Sequence, residues 1–175
     1  MKILIYTTHR TGSTSLAQLL MHHYECMYQR EGFFRNQNFD KIIEKIDNII
    51  IKLTPGEIEY NLVRNKFDKC IVITRNDIQK QAESRLYADK VKKYFSPYKI
   101  ENEFLEKNKA ELTKMIQIIK TENEVLKRCD DCLQITYEEL YYSNGLERIA
   151  NYLNTEFKLT LDNSKKYRDS VKSLI

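Results

Sequence analysis

The chain has 175 residues, 42% hydrophobic and 31% charged, with a formal net charge of +4 (29 Lys and Arg against 25 Asp and Glu). This composition excludes a disordered chain, and no apolar stretch approaches the ~20 residues that a membrane-spanning helix needs. Basic residues are scattered, and the stretch Lys90 to Lys99 is broken by Val91, Tyr94, Phe95 and Pro97. The mild positive excess therefore fits a polyanionic small ligand better than a nucleic-acid surface.

At this length one α/β domain over residues 1–175 is expected, able to bury about 70% of its unfolded surface. Only 4 Gly and 2 Pro interrupt the chain, which predicts long helices and short connections. The run Lys2 to Thr8 reads as a strand. Its apolar part, Lys2 to Tyr6, is too short for a signal-peptide core, so a cytoplasmic location is expected. The polar loop His9-Arg10-Thr11-Gly12-Ser13 follows, and then Leu16, Leu19, Leu20 and Tyr24 recur at helical spacing. Phe33-Phe34 forms a short strand or the edge of a pocket.

Further along, Phe39, Ile42, Ile43, Ile46, Ile49 and Ile50 make one apolar stripe at i, i+3, i+4 steps, which predicts a helix running to Thr54-Pro55-Gly56. Asp68 to Thr74 is continuous in hydrophobes, the pattern of a buried parallel strand. Asp77 is placed to cap a helix carrying Ile78, Ala82 and Leu86. A long helical segment spans 100–127, Cys132 to Thr136 is a short strand, and Ser143 is placed to cap a helix with Leu146, Ile149, Ala150 and Leu153. Residues 163–175 form a polar, basic C-terminal segment. Strands alternating with helices predict a central parallel sheet flanked by helices.

Two places carry chemistry. A helix N terminus presents unpaired N–H groups and about half a positive charge, so an anion placed there is stabilised. Gly12 permits close backbone approach, Ser13 and Thr14 add hydroxyls, and Arg10 adds a forked cation suited to phosphate or sulfate oxygens. The loop is not a Walker A sequence, because no second Gly and no Lys follow it. An ordinary turn capped by Ser13 or Thr14 is the plain alternative. The second place is Arg75, delivered at the C-terminal end of its strand, where ligands bind in open α/β sheets. Ser84 lies about two helical turns on. Its plain alternative is an Arg75–Asp77 ion pair and a solvent-facing serine. Two anion sites on neighbouring units suit a nucleoside phosphorylated at both ends.

Three segments in this order resemble those of the PAPS-dependent sulfotransferases, a family with a P-loop-NTPase-like architecture. Ile3-Leu4-Ile5-Tyr6 with His9-Arg10-Thr11-Gly12-Ser13-Thr14-Ser15-Leu16 is similar to its 5′-phosphosulfate loop. Cys70 to Asp77 with Gln81-Ala82-Glu83-Ser84-Arg85 resembles its 3′-phosphate strand and helix. Ile135-Thr136-Tyr137-Glu138-Glu139-Leu140 is similar to its "TYEDL" segment. The resemblance implies 3′-phosphoadenosine 5′-phosphosulfate (PAPS) as co-substrate, 3′,5′-bisphosphoadenosine (PAP) as product, and no metal. It implies that Arg10 sits on the 5′-phosphosulfate, with Thr11, Gly12, Ser13, Thr14 and Ser15 completing that set. Arg75 and Ser84 would hold the 3′-phosphate. The family's Gly-Asp-Trp-Lys type of C-terminal segment is absent, and Asn163 to Arg168 stands where a substitute is expected.

The implied reaction transfers a sulfuryl group to a hydroxyl, or an amine, of a small-molecule or glycan acceptor; no nucleic-acid or membrane partner is expected. It needs a base for the acceptor's proton and a cation for the departing oxygen, which Arg10 with the loop N–H groups is expected to stabilise. Glu31, followed by Phe33-Phe34, stands where the family often places a Glu, and a solvated loop carboxylate is its plain reading. His9 is the second candidate. A P-loop kinase or NTPase, or a catalytically silent nucleotide binder, remain as alternatives. Cys129-Asp130-Asp131-Cys132 is a CxxC without a second metal-ligand pair, and incidental thiols are expected there.

Overall fold

β-Branched and large apolar residues fill four short runs of the chain, and each becomes a strand of one sheet. The structure is a computed structural model that describes residues 1–29, 39–55, 57, 59–91 and 100–157. Its elements are β1 (Lys2–Thr7), α1 (Ser13–Tyr24), β2 (Met27–Gln29), α2 (Phe39–Lys45), β3 (Ile49–Leu53), α3 (Tyr60–Val63), a 3-10 turn (Arg64–Lys66), β4 (Lys69–Thr74), α4 (Ile78–Val91), α5 (Asn102–Lys107), α6 (Lys109–Lys127), β5 (Leu133–Thr136), α7 (Tyr137–Tyr142) and α8 (Gly145–Leu153). The strands pair in parallel in the order β2-β3-β1-β4-β5. This is the expected α/β architecture, a parallel sheet flanked by helices.

Alternation of side chains along each strand divides the core in two. Ile3, Ile5, Ile50, Ile71, Ile73 and Ile135 face α1 (Leu16, Leu19, Leu20) and α8 (Ile149, Leu153). On the other face Leu4, Tyr6, Ile49, Ile51, Leu53 and Val72 meet Ile43 of α2, Val63 of α3 and Leu126 of α6. A third cluster joins Ala82 and Leu86 of α4 to Leu112 and Ile119 of α6. Each fully buried aliphatic side chain contributes about 1.5–3 kcal/mol.

Three expectations change. The apolar stripe from Phe39 is helical only to Lys45; after Asp47-Asn48 the chain turns and Ile49–Leu53 becomes β3, buried on every residue. β-Branched residues are stiff in a helix and fit a pleated surface, and a slot between β1 and β2 buries both faces of this run. Periodicity could not separate the two states, because a continuous apolar run satisfies both. The segment 100–127 is broken at Asn108 into α5 and α6. The cap of α8 is Asn144, not Ser143, and Ser143 instead ends α7. Asp77 does cap α4, its Oδ1 accepting the backbone N–H of Lys80 at 2.9 Å. The expectations for Phe33-Phe34 and residues 163–175 fall outside the described residues.

Register then sets the site. Tyr6 pairs with Leu53 and Val72, Thr7 with Ile73, and Thr74 with Thr136. The segments leaving β1, β3, β4 and β5 therefore emerge along one edge of the sheet. No helix among the described residues is long and apolar enough to cross a membrane.

Candidate functional site

The loop after β1 is tied down from inside. The Thr7 hydroxyl donates to the Ile73 carbonyl at 2.8 Å, and the Thr11 hydroxyl donates to the Thr8 carbonyl at 3.1 Å. Thr11 is wholly buried, and its hydroxyl closes the turn. Gln81, buried on α4, donates to both the Thr8 hydroxyl (2.6 Å) and the His9 carbonyl (2.7 Å). Arg10 and Gly12 both take the left-handed conformation, at φ 65° and 75°.

Gly12 is the N-cap of α1 and, as a glycine, makes no side-chain cap hydrogen bond. The alternative of a turn capped by Ser13 or Thr14 is thereby set aside. The Gly12 carbonyl accepts from Ser15 and Leu16, while the first N–H groups of a helix have no intrahelical partner. A Cβ on Gly12 would lie 2.4 Å from the Tyr141 ring of α7. Only glycine satisfies both the backbone angle and that contact.

The second loop meets the first. The Arg10 Nε donates to the Ser84 Oγ at 2.8 Å, and an Arg75 terminal nitrogen approaches the Arg10 carbonyl at 3.4 Å. Arg10, Arg75 and Ser84 thus converge across 74 positions of sequence. The side chain of Arg10 turns toward Ser84, whereas the resemblance set it on the 5′ side. Ser84 is engaged rather than solvent-facing. Arg75 lies 4.5 Å from the centre of the Tyr137 ring, and its buried Nε has no hydrogen-bond partner among the described residues. Burial, then a hydrogen bond with Tyr142, pushes the Tyr137 hydroxyl up to about 12. Asp77 caps α4 and pairs with Lys80 at 3.3 Å. Its carboxyl is held below the usual range first by the Lys80 backbone N–H, with Arg75 the weakest contributor.

Sequence reasoning missed a third cation. Lys52 of β3 is buried, 6% exposed, and its ammonium reaches the Thr14 hydroxyl at 3.4 Å. The sole signal was a Lys inside an apolar run, and only the β3–β1 pairing brings it under the loop. Just beyond it, Thr54 donates through its N–H (3.0 Å) and hydroxyl (2.9 Å) to the Glu57 carboxylate. Of the two candidate bases, His9 lies in the first loop with its carbonyl held by Gln81. Glu31 falls outside the described residues.

Other features stand apart. Cys129 and Cys132 are buried free thiols. Cys132 touches the Tyr60 hydroxyl at 2.9 Å, and a hydrogen bond with Cys70 holds its thiol below the usual range. Among the described residues no group of three or more His, Cys, Asp or Glu is placed to hold a metal. A groove of about 510 Å³ runs along α6 beside Pro55, lined by Lys114, Gln117, Ile118, Thr121, Glu122 and Val125. None of these belongs to the two loops.

No protein-family model and no curated protein matches the chain. Among solved structures it is similar to the mouse sulfotransferase SULT7A1 complexed with PAP, at 15% identity and a TM-score of 0.59 over 94% of this chain. The match takes in 61% of the mouse chain, so this chain spans less than two thirds of its length. At that identity the likeness shows a shared fold, that of a sulfotransferase.

Proposed function

We propose that the chain transfers the sulfuryl group of PAPS to a hydroxyl, or an amine, of a small-molecule or glycan acceptor. The observation that carries this reading is the meeting of Arg10, Arg75 and Ser84 beside a helix N terminus whose cap residue is Gly12 and whose Thr14 is reached by Lys52. Two anion-binding positions lie side by side at one edge of the sheet, with cations at both. The likeness to a PAP-bound sulfotransferase supports the same nucleotide.

In this reading the first-turn N–H groups of α1, the Ser13 and Thr14 hydroxyls and Lys52 receive the 5′-phosphosulfate. Arg75, Ser84 and Arg10 receive the 3′-phosphate. The acceptor oxygen attacks sulfur as the bond from sulfur to the bridging phosphate oxygen breaks, giving a sulfate ester, PAP and one proton. Lys52 neutralises the departing oxygen, and developing charge of this kind is where preorganised donors act most strongly. Glu31 or His9 accepts the proton.

Calorimetric titration with PAP, AMP and ATP tests the reading, followed by turnover of radiolabelled PAPS with sugars, lipids and phenols. A preference for PAP that Arg75→Ala or Ser84→Ala removes is the expected result. Equal affinity for the three nucleotides overturns it, and Mg²⁺-dependent ATP hydrolysis would favour a kinase or NTPase. Tight PAP binding with no turnover of any acceptor would leave a silent nucleotide binder.

A further inference from the structure

Helix α7 touches both anion-binding loops. Tyr141 lies against Gly12, its hydroxyl 3.5 Å from the Gly12 carbonyl. One turn earlier, Glu138 spreads its carboxylate over the second loop: Oε2 accepts from the Asn76 N–H at 3.1 Å and Oε1 from the Asp77 N–H at 3.3 Å. Between them the Tyr137 ring lies against the Arg75 guanidinium.

The helix is itself fixed at its base. Thr136 and Glu139 form a reciprocal capping box. Glu139 also pairs with Arg148 of α8, and Arg148 donates to the Gln134 carbonyl of β5 at 3.1 Å. Gly145 lies so close that a Cβ there would stand 2.7 Å from the Glu139 backbone. A six-residue helix anchored in this way does not drift relative to the sheet.

We propose that α7 is a strut that sets the separation of the two anion loops, with Glu138, Tyr137 and Tyr141 as positioning residues. It is what lets the site discriminate a nucleoside with anions at both ends from one with a single phosphate. This rests on the nucleotide reading above. A ligand held at one loop tolerates small shifts of the other, whereas a doubly anchored ligand requires both at once. The selectivity ratio therefore reports the strut, and stability alone does not.

The test compares PAP with AMP on wild type, Glu138→Ala, Glu138→Gln, Tyr141→Phe and Tyr141→Ala, with melting temperatures measured without nucleotide. Glu138→Ala and Tyr141→Ala should weaken PAP at least tenfold while changing AMP less than twofold. Glu138→Gln, which keeps only one of the two acceptor oxygens, should fall between Glu138→Ala and wild type, and Tyr141→Phe, which retains the ring, should lie near wild type. Equal losses for both ligands, or none, in a protein whose wild type prefers PAP would overturn the strut. If the wild type shows no preference, the nucleotide reading fails instead. The strut is then judged by amide hydrogen exchange: Glu138→Ala must speed exchange at Asn76 and Asp77, and unchanged rates overturn it.

Discussion

The two ends of the sheet use polar groups in opposite ways. At the N-terminal ends of the strands, charges and thiols satisfy one another. Asp68 accepts from the Lys2 N–H at 2.7 Å, and Arg64 pairs with Asp131 at 2.7 Å. The Tyr60 hydroxyl bridges Asp131 and Cys132. At the C-terminal ends the loop backbone is satisfied from within by Thr7, Thr11 and Gln81, yet three cations converge there. Arg10 meets a serine hydroxyl, Arg75 a carbonyl and an aromatic face, and Lys52 a threonine hydroxyl. In the proposed function the first end holds the fold together and the second receives the nucleotide.

Substitutions should separate the ends. The largest effect is expected for Gly12→Ala, which places a Cβ in the left-handed region and against Tyr141. The backbone alone costs roughly 1–2 kcal/mol, so both the melting temperature and PAP binding should fall. Arg75→Ala and Lys52→Met come next, each expected to weaken PAP by about ten- to a hundredfold, the range for a charge-assisted hydrogen bond. The ligand-free melting temperature of Arg75→Ala should hold or rise, because it removes a cation whose buried Nε has no hydrogen-bond partner among the described residues. A large fall in ligand-free stability would mean that this cation serves the fold.

At the other end Tyr60→Phe should do the reverse. Losing the bridge between Asp131 and Cys132 is expected to cost about 1 kcal/mol of stability by thermal melting, with PAP affinity unchanged. The smallest effect concerns the α7 cap. Burial raises the Glu139 pKa, but hydrogen bonds from the Thr136 backbone and side chain, with the Arg148 charge, outweigh it and leave the carboxyl below its usual range. A depressed folded pKa contributes stability that is present above the unfolded value near ~4.3 and is lost as pH falls through the folded one. Melting of Glu139→Gln, which keeps an acceptor for the cap but loses the charge beside Arg148, should be lower than wild type at pH 7 by about 0.5 kcal/mol, and the gap should close toward pH 3. A constant gap would place the effect in packing.

Some of this was legible because it is local. The strand, loop and helix around Gly12, the strand ending at Arg75 and the Asp77 cap all depend on residues within a few positions of one another. The shared fold with a sulfotransferase agrees with that reading. The Thr136-x-x-Glu139 box was equally visible as a spacing, but its segment was read as a motif rather than as helix α7. What failed was ambiguous in kind: Ile49 and Ile50 fit a helical stripe and a buried strand alike. The short edge strand β2, Met27–Gln29, carries too few residues for any period.

The sequence by itself determined which residue types stand at the ends of β1 and β4, types whose chemistry suits an anion. Tertiary structure alone decided which cation serves which loop. Strand order puts β3 beside β1 and Lys52 under Thr14, while the βα units of β1 and β4 bring Arg10 to Ser84. It also set α7 against both loops. Contacts of this range follow from how strands are ordered and registered, and no local pattern of hydrophobic and polar residues encodes that order.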